Sequence, residues 1–199
     1  GGLAGSALAG TLGLTGPVGA GIGALIGAFG GGGFGSLFGS DPSSEFIKTN
    51  IGINQKGRFV NPGIEALDSV DEEQRQQFRQ LGQQSAQSLN QLFDVAGVSP
   101  KRDGRIELET QRDRGIVAQI QGGESGDFNE EFEDVDRAVA ALGKELLRRA
   151  DDLGQDVGTA ISNSASETIQ ELTEDVQFAA GFEDRIDALN KGVQSLSDT

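Results

Sequence analysis

Five residue types are missing from this chain of 199 residues: cysteine, histidine, methionine, tryptophan and tyrosine. Without cysteine there is no disulfide framework and no thiol chemistry, so the sequence gives no indication of a redox compartment. Without histidine, a nucleophile activated by an imidazole is excluded, and so is a zinc site built on imidazole or thiolate ligands. Because methionine is absent, we expect a processed product or the end of a longer polypeptide rather than a translation start at residue 1.

Basic residues are scarce, with 16 lysines and arginines against 31 aspartates and glutamates, for a formal net charge of −15. A net negative charge repels the negatively charged phosphate backbone, so we expect no sequence-specific nucleic-acid binding. The simplest interpretation is that the excess of acidic residues keeps the protein soluble. The alternative hypothesis is an acidic wall along which DNA passes without sticking.

Charge is absent from residues 1–40, where glycine recurs every fourth position. The repeating glycines are Gly19, Gly23, Gly27, Gly31, Gly35 and Gly39, and the large apolar side chains among them include Ile22, Leu25, Ile26 and Phe29. This run exceeds the ~20 residues that a helix needs to cross a bilayer, and small residues four apart let helices pack closely. We therefore predict that residues 1–40 form a helix-packing tract, a glycine zipper, for a membrane or for the inside of a protein tube. A flexible glycine-rich linker is the alternative, although a solvated linker avoids so many leucines, isoleucines and phenylalanines.

Residues 41–68 carry turn signals at Asp41–Ser44 and at Asn61–Gly63, with no clear alternation of apolar and polar residues between them. They are predicted to form an irregular linker. The next segment begins with capping-box spacing, Ser69 to Glu72, and continues with apolar residues three or four apart. Gly97 and Pro100 are typical of a helix end, so a helix of about seven turns is predicted here.

A β-hairpin is predicted at about residues 105–120, because apolar residues alternate with polar ones on both sides of Arg112–Gly115. A second long helix is then predicted from an N-cap at Asp127, with an apolar stripe that reaches Ile161. Capping-box spacing from Ser164 to Glu167 predicts the last helix, whose stripe runs from Ile169 to Leu189.

The predicted fold class is therefore mainly α, with three long amphipathic helices and one inserted hairpin over residues 69–199. Each helix has a narrow apolar stripe and a wide charged face. Such helices can form one bundle within a chain or pair between chains. We expect an elongated and oligomeric assembly.

Carboxylate pairs are the remaining candidates for catalysis, as in glycosidic hydrolysis. They occur at Glu130–Glu131, Glu133–Asp134 and Asp151–Asp152. We interpret them as solvated charges or as first-turn acids that the helix dipole favours. The sequence contains neither an EF-hand loop nor a phosphate-binding loop with its Lys-Ser/Thr ending. We expect no enzymatic activity, no cofactor and no metal.

The order of these segments resembles the C-terminal end of the tail tape measure protein of a long-tailed bacteriophage, and the resemblance spans nearly all of the chain. The matching elements are a small-residue tract that ends in Gly-Ser-Leu-Phe-Gly-Ser (35–40), a Pro-Ser step (42–43), a helix over Gln74–Phe93, Arg-Asp-Gly (102–104), and helices around Ala138–Ile161 and Ile169–Leu189 that include Gln-Phe-Ala-Ala-Gly-Phe-Glu (177–183). The resemblance is one of layout and composition, without a catalytic signature.

The resemblance implies a virion protein that runs down the tail tube, with its C-terminal part in the tail tip as a homotrimer. Its implied partners are further copies of itself, the tail hub and distal tail proteins, and the host inner membrane after genome ejection. During infection it would pass through the host periplasm and insert into that membrane, where DNA passes without sequence-specific binding. Two other hypotheses remain open at this point: a free, bacteriocin-like pore-forming effector, and a purely structural tail-tip scaffold.

Overall fold

The fold is that of a computed structural model, which describes residues 46–68, 70–111 and 115–181. The described strands are β1 (Phe46–Ile53), β2 (Phe59–Ala66), β3 (Arg105–Gln111), β4 (Ile116–Gln121) and β5 (Phe128–Phe132). The described helices are α1 (Glu72–Ala96), α2 (Val135–Arg148), α3 (Gln155–Asn163) and α4, which begins at 169 and is described through 181.

The five strands form one antiparallel sheet in the order β2-β1-β3-β4-β5. α1 connects the edge strand β2 to β3, and β1 lies between those two strands. The prediction of a mainly α protein with three long helices and one hairpin is therefore wrong. The observed fold combines a five-stranded sheet with one long helix, α1, the shorter helices α2 and α3, and α4.

β1 and β2 occupy most of residues 41–68, where the sequence predicts an irregular linker. Side chains in β1 alternate between the two sides of the sheet: Ile47, Thr49 and Ile51 are buried, whereas Lys48 and Asn50 lie on the other face. The pairing with β2 shifts register between Asn50 and Gly52, as at a β-bulge. Glycine, asparagine and proline at this irregular point obscure the alternation in the sequence.

α1 lies where it is predicted, with a different cap. Asp71, rather than Ser69, is the N-cap, and it forms a capping box with Gln74. Gly97 ends the helix in the left-handed conformation, as expected. The Asn90 side chain accepts a hydrogen bond from the Phe59 backbone N–H at 2.8 Å and donates one to the Phe59 carbonyl oxygen at 2.8 Å. α1 is thereby fixed to β2.

The predicted second helix divides into three elements. Its first part is the edge strand β5, and α2 begins only at Val135 with Asp134 as the N-cap. The chain turns after Arg148, with Asp152 in the left-handed region at φ 64°, before α3 begins at Gln155. The prediction of an unbroken helix from Asp127 to Ile161 is therefore wrong.

α4 begins four residues later than predicted. Thr168 Oγ1 accepts a hydrogen bond from the Glu171 backbone N–H at 3.1 Å, and the Glu171 carboxylate accepts from the Thr168 backbone N–H at 3.3 Å. This reciprocal pair is a capping box, in the place of the predicted pair Ser164 and Glu167.

The hydrophobic core lies between one face of the sheet and the helices. α1 contacts β1 and β2, and α2 contacts β4 and β5. Gly143 in α2 lies where α1, α2 and α4 meet: a Cβ atom there would be 2.8 Å from Leu92 Cδ2 and 3.1 Å from Ile169 Cδ1. The largest side chains of the core with almost no exposure are Phe78, Ile47, Leu81, Leu89, Leu92, Leu108, Ile116, Ile120, Leu142, Leu147, Ile161 and Leu172.

Candidate functional site

The predicted helix-packing tract lies outside the described residues. This applies to each of its named positions: Gly19, Gly23, Gly27, Gly31, Gly35, Gly39, Ile22, Leu25, Ile26 and Phe29. Within the described ranges, no helix has the length and apolar character to cross a membrane. The same ranges contain no group of three or more acidic side chains placed to hold a metal ion.

The main charged feature of the described fold is a cluster on the face of the sheet opposite the core, which we call the sheet cluster. It comprises Lys48 and Asn50 on β1, Glu65 on β2, and Arg105 and Glu107 on β3. Lys48 Nζ lies 3.2 Å from Glu65 Oε2 and 3.0 Å from Glu107 Oε1. Arg105 Nε lies 2.7 Å from the same Glu107 oxygen, and Arg105 Nη2 lies 2.5 Å from Glu65 Oε1. Two cations and two carboxylates thus bridge three adjacent strands.

The sheet cluster is partly withdrawn from water. The Glu107 side chain is 4% exposed and that of Lys48 is 13% exposed. Burial acts to lower the pKa of Lys48, but its hydrogen bonds to Glu107 and Glu65 outweigh burial and raise that pKa above its usual value. The hydrogen bonds from Lys48 and Asn50 lower the pKa of Glu65. Both directions favour the charged forms near neutral pH.

A shallow groove of about 470 Å³ opens beside the sheet cluster. The residues that line it include Gly52, Gly63 and Gly104, together with Asn50 and Arg105. The polar groups in this lining are already engaged: Asn50 Nδ2 donates to Glu65 Oε1 at 3.2 Å, and Asn50 Oδ1 accepts from Arg105. The groove is therefore a depression left by missing side chains, and the contacts around it hold strands together.

A second buried charge group joins the end of α2 to the loops around β3. Arg149 Nη2 lies 2.9 Å from Glu145 Oε1, and Arg149 Nη1 lies 3.8 Å from Asp103 Oδ2. Asp103 accepts hydrogen bonds from the backbone N–H groups of Glu124 at 2.5 Å and Ser125 at 3.1 Å. The Ser125 side chain is the main cause of the lowered pKa of Asp103. The glycine-rich loop at 122–126 thus holds a carboxylate of its own chain.

A groove of about 380 Å³ lies between α2, β5 and the segment that precedes α4. Lys144 Nζ donates to the carbonyl oxygens of Ser164 at 3.0 Å and Ser166 at 2.9 Å. The hydroxyls of Ser164 and Ser166 donate to Asp175 Oδ2 at 2.7 and 2.6 Å. A lysine, two serines and an aspartate, residue types that can form a catalytic set, lie close together in this groove. The Lys144 ammonium group, however, donates to backbone carbonyl oxygens and not to a serine hydroxyl. The set therefore holds α4 against α2, and its geometry is not that of an activated nucleophile.

Asp136, in the first turn of α2, has an unfavourable environment for a carboxylate. Burial, together with the negative charges of Asp134 and Glu171, raises its pKa to about 6. A carboxyl group whose pKa is raised in the folded state stabilises the fold only while it is protonated. The cost in stability therefore grows as the pH rises from about 4, where the unfolded chain begins to ionise, and is complete above about 6.

We expect Asp136→Asn to stabilise the domain by about 1–2 kcal/mol at pH 8, because it removes the ionised carboxylate at a site that still has some solvent screening. The gain should shrink as the pH falls through 6 and vanish near pH 4, where the native carboxyl group is neutral. Urea unfolding at several pH values measures this. The matched control, Asp156→Asn in the first turn of α3, removes an exposed first-turn acid and should not stabilise. A gain that is equal at every pH would contradict the explanation.

The carboxylate pairs of the sequence are placed separately. Glu130 and Glu131 are exposed on β5, Asp134 is the N-cap of α2, and Asp151 and Asp152 are exposed in the turn after α2. The structure does not bring them together into one site. The sheet cluster was not predicted, although Lys48 and Glu107 each lie between two buried residues in the sequence. Comparisons with family models, with curated proteins and with solved structures found no match to this chain.

Proposed function

We propose that the chain is a structural protein of a phage tail, in which the folded domain anchors the N-terminal tract in the tail tip. The observation that carries this proposal is the position of β1. This strand begins at residue 46, soon after the tract, and it pairs with β2 on one side and β3 on the other. A pull on the tract therefore acts on an interior strand, and two ladders of backbone hydrogen bonds must break before that strand leaves the sheet.

The proposed sequence of events follows from the two parts of the chain. Before infection, the apolar tract is sheltered in the tail tube, and the domain is held in the tip by copies of itself and by hub and distal tail proteins. On release, the tract enters the host inner membrane, where its glycines let several helices pack closely and form a route for DNA. The acidic surface does not retain the passing phosphate backbone. No catalytic step is required of the chain.

The test is to locate the chain in purified particles of the phage or phage-like element that encodes it. Quantitative mass spectrometry should find a few copies per particle. Absence from particles together with secretion in free form would contradict the proposal and favour a free pore-forming effector. DNA delivery that is unchanged after Ile26→Lys, with normal particle assembly, would favour a purely structural scaffold.

The membrane step makes a separate prediction. In liposome dye-release assays with the full chain, the double variant Gly23→Ile and Gly27→Ile should lower leakage about tenfold. The reason is that branched side chains separate helices that glycine lets approach closely, and the lost packing corresponds to about 1–2 kcal/mol.

The matched control for the liposome assay is Leu25→Ile, which keeps the volume and apolar character of a neighbouring side chain. It should leave leakage unchanged. Equal leakage from the control and the double variant would contradict close glycine packing. No leakage from the unmodified chain at any concentration would contradict membrane insertion itself.

A further inference from the structure

The sheet cluster joins β1 to both of its neighbours by side chains. Lys48 on β1 contacts Glu65 on β2 and Glu107 on β3. Arg105, also on β3, reaches across β1 to Glu65 and donates on the way to Asn50 Oδ1 at 3.2 Å. Each of these contacts crosses a boundary between strands, whereas the contact of Arg105 with Glu107 lies within β3. The cluster therefore supplements both backbone ladders of the same strand.

We infer that the sheet cluster is a mechanical clasp, which sets the force needed to extract β1 when the N-terminal tract is pulled. This inference rests on the proposed function, because that function gives the tract as the point of load. Extraction of β1 carries Lys48 away from both carboxylates at once. The transition state for extraction therefore has to expose Glu107, which is almost fully buried, before water can replace Lys48, while Arg105 on the same strand stays beside it.

A clasp differs from ordinary stabilisation in its dependence on direction. Interactions that break before the transition state determine the unfolding rate, and which interactions break first depends on where force is applied. When β1 is pulled, the sheet cluster is in the path of the load. When two helices are pulled apart, the load passes first through contacts on the other face of the sheet.

The experiment is force spectroscopy on the full chain at constant load. Because the chain contains no cysteine, single thiol handles can be placed without background. One axis joins the N-terminus to Thr159→Cys on α3, and the other joins Gln87→Cys on α1 to the same handle. Both positions are exposed. The variant is Glu107→Gln, which leaves the shape and removes the charge.

On the N-terminal axis, Glu107→Gln should accelerate unfolding about tenfold or more, and on the helix axis by less than about threefold. The control is Arg79→Gln, which removes the exposed ion pair with Glu72 on α1 and should change neither rate. Equal acceleration on both axes, or no acceleration on the N-terminal axis, would overturn the inference.

A second variant covers the case in which Glu107→Gln does not fold. Lys48→Met combined with Glu107→Leu replaces the charges with apolar groups of similar volume, an exchange that commonly preserves equilibrium stability. We expect chemical unfolding close to that of the unmodified chain and faster unfolding on the N-terminal axis only. Unchanged rates on that axis would overturn the clasp. That result would leave the presence of the chain in tail particles unaffected, so the two proposals fail separately.

Discussion

Gly82→Ala should lower the free energy of unfolding by about 2–3 kcal/mol, although alanine is the better helix former by about 1 kcal/mol. Gly82 lies where α1 passes close to side chains of β1 and β2. A Cβ atom at this position would lie 2.1 Å from Thr49 Oγ1 and 2.3 Å from Asn61 Nδ2. Because Thr49 is a fully buried residue of β1, α1 has to move away from the sheet to relieve the clash.

Urea unfolding of the single and double variants tests this explanation. Thr49 Oγ1 is buried and has no hydrogen-bond partner among the described residues, so Thr49→Ala alone should cost little. Combined with Gly82→Ala it should recover part of the lost stability, because it removes the nearer of the two clashing atoms. Strict additivity of the two changes would show that the clash is not the cause. Gly181→Ala is the control, since a Cβ atom at this helical position meets nothing within 4 Å.

Phe78→Ala should have the largest effect of any single substitution proposed for this chain, a loss of about 3–5 kcal/mol. The Phe78 side chain is 1% exposed in the face of α1 that packs on the core. Its removal loses apolar burial and leaves a cavity that close-packed neighbours fill only in part. For a domain of ordinary stability, such a loss is a large share of the total.

Phe178→Ala is the matched control, because it makes the same substitution on α4 at a side chain that is 78% exposed. Calorimetry of the two variants should show a large fall in melting temperature for the buried site and a change within about 0.5 kcal/mol for the exposed site. Comparable losses at both sites would mean that the described burial of Phe78 is incorrect.

The parts of the fold that the sequence predicts well are those specified by short-range signals. α1 has a glycine C-cap, a nearby proline and a regular apolar stripe, all within one segment. The hairpin β3–β4 has alternation on both strands and a short connection. In both cases the sequence pattern and the tertiary environment favour the same element, so local reasoning suffices.

The missed strands depend on pairing with other strands, which the local sequence does not show. β5 has the sequence Phe-Asn-Glu-Glu-Phe, whose two phenylalanines also fit the start of an amphipathic helix. The pairing with β4 makes this segment a strand rather than the start of a helix, and the sequence of the segment itself does not reveal that pairing. β1 likewise becomes a strand because β2 and β3 both pair with it. Tertiary context overrides weak local propensity in both cases.

The sheet cluster was beyond prediction for the same reason. Glu107 meets Lys48 only if β1 and β3 pair in one register, and a shift by one residue would direct the two side chains to opposite faces. The sequence shows which residues alternate, but it does not show which strands are neighbours.

The insertion of β1 between β2 and β3 also affects how the chain folds as it is made. β2 follows β1 directly, whereas β3 begins only at Arg105, with all of α1 between them. At about 5–20 residues per second, translation from the end of β2 to the start of β3 leaves β1 with a single neighbour for roughly 2–8 s. Throughout that interval the nascent polypeptide presents an unpaired strand edge on β1. Chaperone capture and premature aggregation compete for it until β3 leaves the ribosome.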